Sequence, residues 1–413
     1  MVKVLDRVPR RFASVSKLNG NGLATPQREL VLPDSVRKKI GLDDPRDPVG
    51  LGWDRQVYSA LAAVTEESAI LDYASAGQDF VDLSRDRFIT GITLVADPYR
   101  HDVTTAVITP VQDAVDKVIS ALSLNGRVTY FNLSSTLLFL KGLSAMNKNV
   151  YGSSLPHQDL ATAVAADHDS IQAWHIPFGA WNDKDKFDIT AGIPAELETT
   201  LRLNATFGAN NLIATVAANG TVDGNTDIYV VNWGVQGLPR EYVQLAPIPD
   251  FRHAHIQTVQ STTTIPLETG RYLKRMTIVN LAVLATNNED RNDSNMTVVT
   301  FRIKRPTSTL LWERIRWEVM RSAHSPWTSV PDVDRDGSAA IITVPLAGIV
   351  TVDWRNYSKN PYGLNLYPFQ SGDIELEFEL GVTTGSIHVF FEYYALPDPT
   401  IADAWDGTPY RPR

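Results

Sequence analysis

Apolar and polar residues alternate without a break over residues 374–380, Ile-Glu-Leu-Glu-Phe-Glu-Leu. Ile374, Leu376, Phe378 and Leu380 fall on one face and Glu375, Glu377 and Glu379 on the other. That period of two predicts an antiparallel strand with one face on a core and the other in water. Residues 381–385, Gly-Val-Thr-Thr-Gly, read as a turn, and residues 386–394 read as the answering strand. Residues 200–207 and 227–233 show the same pair of patterns earlier in the chain, joined by a longer loop. Residues 314–320 also alternate, through Ile315, Trp317 and Val319, and predict a strand. Three stretches carry helical spacing instead: 58–73, 102–124 and 158–166. They predict one short helix and two helical insertions in loops. Many short strands set off by turn residues point to sandwiches or barrels, not to alternating β and α units.

The alternation repeats on a larger scale. Val81-Asp-Leu-Ser-Arg-Asp-Arg-Phe-Ile-Thr-Gly-Ile-Thr-Leu-Val95 reads against Ile265-Pro-Leu-Glu-Thr-Gly-Arg-Tyr-Leu-Lys-Arg-Met-Thr-Ile-Val279 at an offset of 184. Leu83/Leu267, Arg87/Arg271, Thr93/Thr277 and Val95/Val279 are identical. A second echo, at offset 173, runs from Trp181/Trp354 through Lys186/Lys359 to Leu201/Ile374 and Leu203/Leu376. Solenoid units recur every few tens of residues, so echoes this far apart predict two large domains of one design. The change of offset is what loops of unequal length between equivalent strands produce. The predicted division is an irregular arm over 1–57, a first sandwich over 58–245, a linker over 246–255, a second sandwich over 256–397 and a tail over 398–413.

Length and charge add two constraints. The 413 residues exceed what one core serves and suit two domains of about 150–200 residues. The net charge of −9 hides an asymmetry: residues 1–41 hold nine basic side chains (Lys3, Arg7, Arg10, Arg11, Lys17, Arg28, Arg37, Lys38 and Lys39) against Asp6, Glu29 and Asp34. That arm carries +6 and the remainder −15, so the arm is suited to an anionic surface such as lipid headgroups, nucleic acid or an acidic neighbour. The absence of cysteine excludes disulfides, thiolate nucleophiles and Cys-ligated metal centres. No run of about 18 apolar residues occurs, and the first residues lack the apolar core of a signal peptide, which predicts a chain made in the cell interior.

Candidate chemistry is sparse. Asp332-Val-Asp-Arg-Asp-Gly337 opens like a calcium loop, with Asp332, Asp334 and Asp336 at positions 1, 3 and 5 and a glycine at 6. Position 12 is Thr343, where a bidentate glutamate is needed, so an acidic turn between strands fits better and no cofactor is expected. Asn182-Asp-Lys-Asp-Lys-Phe-Asp188 reads as a polar turn whose lysines argue against a cation cage. His253 and His255 could ligate a metal from one strand face, but no glutamate follows at cupin spacing, so a surface pair in the linker is expected. No Gly-x-Ser-x-Gly elbow and no glycine-rich phosphate loop is present, and no catalytic residue is expected.

These features resemble the double jelly-roll major capsid proteins of tailless icosahedral double-stranded DNA viruses. The resemblance spans about residues 58–397 and rests on pattern: the Ile-Pro-Leu phrase with its basic strand (264–279), Val344-Pro-Leu346 with its counterpart Ile176-Pro-Phe178, and the closing strand pair at 372–378 and 385–393. It implies an all-β chain with short helical insertions, folded as two tandem antiparallel eight-stranded jelly-roll β-sandwiches. It implies a structural, non-enzymatic subunit of the virion, forming pseudo-hexameric homotrimers that tile an icosahedral shell with the basic arm facing inward. The implied partners are its own copies, neighbouring trimers, penton or cement proteins and internal membrane lipids, without sequence-specific nucleic-acid binding. Two other readings share the pattern: a tandem β-sandwich that binds or cleaves carbohydrate, and a minor capsid or spike protein of the same lineage.

Overall fold

The computed structural model describes residues 62–103, 119–134, 168–180, 182–183, 185–209, 220–222, 226–238, 240–257, 262–283, 289–291, 298–304, 310–324, 327–333, 339–345, 348–358, 362–380 and 385–396. In the first half these form β1 (Ala62–Asp72), β2 (Gln78–Asp82), β3 (Phe88–Val103), β4 (Ile119–Asn125), β5 (Thr129–Ser134), β6 (His168–Pro177), β7 (Ile193–Pro194), β8 (Arg202–Phe207), β9 (Gly220–Val222) and β10 (Asp227–Gln236). Helix α1 (Arg240–Leu245) leads into the second half. There follow β11 (Ile248–Gln257), β12 (Thr262–Pro266), β13 (Tyr272–Val283), β14 (Glu289–Arg291), β15 (Val298–Lys304), β16 (Leu310–Arg316), helix α2 (Trp317–His324), β17 (Trp327–Val333), β18 (Ala339–Pro345), β19 (Ile349–Asp353), helix α3 (Arg355–Ser358), β20 (Leu364–Asn365), β21 (Glu375–Leu380) and β22 (Gly385–Ala395).

Each half is an eight-stranded jelly roll. In the first, a sheet ordered β1-β10-β3-β6 faces one ordered β5-β4-β8-β2; in the second, β11-β22-β13-β19 faces β12-β21-β15-β16. Alternating side chains fill the space between, such as Ile92, Leu94, Leu124 and Leu203 in the first core and Met276, Ile278, Leu376 and Phe378 in the second. The two cores draw on equivalent strands. An offset of 184 carries β2 onto β12 and the start of β3 onto that of β13, and an offset of 173 carries β8 onto β21. Even the register is kept: Gln78 pairs with Thr206 as Thr262 pairs with Glu379. Both β3 and β13 carry a bulge at the same place, Thr90 in one and Lys274 in the other.

Several expectations are corrected. Residues 58–73 do not form a helix where described: β1 pairs along its length with β10, because cross-strand pairing overrides the modest helix preference of its Ala, Leu and Glu residues. The expected helix over 102–124 is strand from Ile119, and 104–118 and 158–166 lie outside the described residues. The expected linker is strand: Ile248–Gln257 forms β11, which pairs with β22 over its whole length. The strand expected over 314–320 ends at Arg316, and Trp317 opens α2, which buries Trp317 and Met320. The glutamate face of β21 is not uniformly wet, since Glu377 is buried. The counterpart of Ile176-Pro177 is Val352-Asp353 on β19, not Val344-Pro345, which lies in the β17–β18 hairpin.

Candidate functional site at the seam between the sandwiches

The two jelly rolls meet edge to edge. Strand β11 of the second lies parallel to β5 of the first, with Phe251 opposite Phe131, and this contact fuses two sheets into one of ten strands. Along β11 and β22 alternate residues point away from the second core, so Phe251, His253 and His255, and Ser386, His388, Phe390, Glu392 and Tyr394, share the face turned toward the first sandwich. Three zones of different chemistry follow one another along that face.

At one end is a buried ion cluster built around Asp183, on the turn after β6. Its Oδ1 accepts from Lys274 Nζ at 2.6 Å and from an Arg275 guanidinium N–H at 2.7 Å, and its Oδ2 from Arg355 at 2.8 Å. Glu392 lies 3.1 Å from Arg275, and Asp353 lies 2.5 Å from Arg355. Three cations thus meet three carboxylates, so the cluster is neutral. Burial opposes the charge on Asp183, yet Arg275, Lys274 and Arg355 outweigh it and hold the carboxyl well below its ordinary range. Burial acts the other way on Lys274, pushing its ammonium down to about 8 against the pull of Asp183. Backbone carbonyls of the first sandwich complete the shell: Lys274 donates to Gly179 at 2.8 Å and Arg355 to Ala180 at 2.8 Å. Tyr394 donates to Phe178 and Tyr362 to Thr190 across the same boundary. Buried charges demand such partners, because each left unpaired costs several kcal/mol.

Beside the cluster, Phe131, Phe178 and Phe251 form a buried triangle with ring centroids 5.9–6.2 Å apart. Phe390, Val279 and Ile349 join the same apolar cluster as the first core, so one continuous core crosses the seam. At the far end, His253, His255 and His388 stack on one another, with centroids 5.0 Å apart for His253 and His388 and 4.3 Å for His255 and His388.

Little of this was expected of these residues individually. The segment 182–188 is a turn, but Asp183 anchors the ion cluster, and Asp188 is buried and accepts from Asn182, from the Thr190 N–H and from the Thr190 hydroxyl. The histidines do not lie in a linker but on a paired strand, where His253 is half-buried and His255 is exposed as expected of a surface residue. A signal for the cluster was present in Leu273-Lys-Arg-Met276, two adjacent cations inside an apolar strand where the first half has Thr90-Gly91. The arm residues Lys3, Arg7, Arg10, Arg11, Lys17, Arg28, Arg37, Lys38 and Lys39 lie outside the described residues, as do Asp334 and Asp336. Asp332 sits near the end of β17, and Thr343 is in β18 opposite Ser329, so strands rather than helices flank residues 334–338. Among the described residues no group of three or more His, Cys, Asp or Glu could hold a metal ion.

No protein-family model matches the sequence, and no curated protein matches it. Solved structures do. The structure of the STIV MCP superposes with a TM-score of 0.59 at 14% identity, covering 81% of this chain and 97% of that one. A chain of the atomic structure of Sulfolobus turreted icosahedral virus gives 0.58 at 14% identity, covering 84% and 95%. The chain has the double jelly-roll fold. Within this chain the two halves keep strand order and register and differ at the seam, where Lys274 and Arg275 stand in place of Thr90 and Gly91.

Proposed function

We propose that this double jelly-roll chain is the major structural subunit of an icosahedral viral shell, acting as a homotrimer of six sandwiches with its basic arm turned inward. One observation carries the reading: the centre of the outer face of the first sandwich is half-exposed, while its structural equivalents in the second, Phe251, His388, Phe390 and Glu392, are buried in the seam. By register, Thr65 corresponds to Phe251, Trp233 to Glu392, Val231 to Phe390, and Tyr229 to His388. Thr65 is exposed, Trp233, Val231 and Tyr229 are half-buried, and Ile70 is 41% exposed. Among the described residues edge strand β1 is unpaired on its outer side, as β11 would be without β5.

The complementary surface lies on the second sandwich. Strand β16, equivalent to β5, is an edge strand among the described residues, and helix α3 after β19, in the place of the turn bearing Asp183, carries Tyr357 at 50% exposure. Val319 on α2 is 57% exposed. Each chain therefore presents both halves of a seam it has already made once internally. Repeating that contact between copies is a heterologous association, which closes into a ring when the rotation permits. Three copies place six similar sandwiches around one axis, the shape that a near-hexagonal lattice needs. An obligate contact of this type buries more than about 2,000 Å².

Ile70→Arg and Tyr357→Ala, on the two sides of the contact, test the reading by size-exclusion chromatography with circular dichroism. The expected result is a folded, smaller species for each. Assembly of both variants like the unmodified chain overturns the arrangement. Deleting residues 1–41 is expected to leave trimers but impair shell assembly, and unchanged particle formation overturns the role of the arm.

A further inference from the structure

We propose that His253, His255 and His388 form an acid-sensitive latch in the seam, which holds the two sandwiches together near neutral pH and releases this end of the contact in acid. The inference is independent of whether the chain assembles into a shell. It starts from a hydrogen-bonded relay that crosses the boundary. Ser134 Oγ on β5 lies 2.8 Å from His253 Nδ1, and His253 Nε2 lies 2.9 Å from His388 Nδ1. His388 Nε2 continues to Ser386 Oγ at 3.3 Å. His253 also stacks on Phe390 at 4.6 Å, so the relay adjoins the aromatic centre of the seam. The backbone offers little support here, since Phe251 and Phe131 are the single paired position between β11 and β5 among the described residues.

The relay tolerates only some protonation states. A nitrogen-to-nitrogen hydrogen bond needs one donor and one acceptor, which neutral imidazoles supply. Once both rings are protonated, two N–H groups face each other across 2.9 Å and two cations stack with centroids 5.0 Å apart. The bond is then lost and the contact becomes repulsive. The groups that bear on His253 work in one direction. From β11 comes His255, from β22 His388, and from β5 the uncharged Ser134. The nearby charges are engaged elsewhere: Glu392 with Arg275, Arg252 with Asp250 and Glu268. Burial, with a smaller contribution from His255, pushes the His253 imidazole down to about 4. The latch is therefore neutral and closed at pH 7.

The device belongs to this seam and not to the strand pattern. At the equivalent positions of the first sandwich, Ile70 faces Tyr229 where His255 faces His388, and Glu67 stands where His253 does. A contact between copies built on those residues lacks the latch, so the histidine response belongs to this end of the seam within the chain.

Amide hydrogen exchange on the full chain tests this. Protection is compared at pH 7.5 and pH 4.5, corrected for intrinsic rates, over β5, β11 and β22. The unmodified chain is expected to lose protection by about tenfold or more in 131–134, 251–257 and 386–390 while the β2–β8 pair keeps its own. In His253→Gln/His388→Gln, whose amides hydrogen-bond at either pH, that selective loss should vanish. No selective loss in the unmodified chain, or an equal loss in the variant, overturns the proposal. Should the variant fail to fold, histidine-labelled NMR titration of the unmodified chain decides: His253 is expected to titrate near 4, and a value near 6.5 overturns the latch.

Discussion

Asp183→Ala removes the one carboxylate that Lys274, Arg275 and Arg355 share. The three cations are left with Glu392 and Asp353, a buried site one negative charge short. Breaking a buried pair by removing one partner costs about 3–5 kcal/mol, and a residue serving three cations at 2.6–2.8 Å belongs at the upper end of that range. Lys274→Met leaves Asp183 held by two guanidiniums and removes the cation that burial already penalises, so it should cost less, about 1–3 kcal/mol. The double variant restores balance, with Arg275 and Arg355 facing Glu392 and Asp353. It is therefore expected to cost about 2 kcal/mol less than the sum of the two single variants. Denaturant unfolding at pH 7, followed by tryptophan fluorescence, measures all three. A loss below about 1 kcal/mol for Asp183→Ala, or additivity within about 0.5 kcal/mol, would refute the reasoning.

Two further outcomes are expected. His175 is buried, its Nδ1 faces the Thr93 hydroxyl at 2.9 Å, and burial pushes it down to about 4. The unfolded chain then takes up this proton first, so the stability tied to the neutral ring is full above about pH 6.5 and falls by about 3 kcal/mol as the pH drops to about 4; His175→Gln should flatten the difference in unfolding free energy between pH 7 and pH 4.5, and an unchanged slope would refute this. Gly363 has φ +91°, and a Cβ there would fall on the Leu273 carbonyl oxygen of β13, so Gly363→Ala should cost at least about 1–3 kcal/mol in the same unfolding assay, where a loss of a few tenths would contradict the close approach.

The architecture was legible wherever the side-chain period was two and the same period recurred at a fixed offset. The offsets of the two echoes, 184 and 173, carry β2 onto β12 and β8 onto β21 residue for residue, because a slip of one residue would turn each core-facing set outward. β1 was not legible, since its Ala, Glu and Leu residues favour helix and only the long pairing with β10 decides otherwise. Glu377 was misplaced because alternation reports which face a residue occupies and not whether another element covers that face. The ion cluster joins Asp183 to residues more than ninety positions away, and no local pattern announces such a partnership; only the oddity of Lys274-Arg275 within an apolar strand pointed to it. His253 and His255 were visible as a pair, but His388, the third ring, comes from the last strand.

The central claim is that each chain repeats between copies the seam it makes within itself. Light scattering coupled to size-exclusion chromatography on the unmodified chain, at micromolar concentration and pH 7, measures this directly. The account predicts a mass of about 137 kDa, three times the 45.7 kDa of one chain. A stable species of one chain's mass would contradict it.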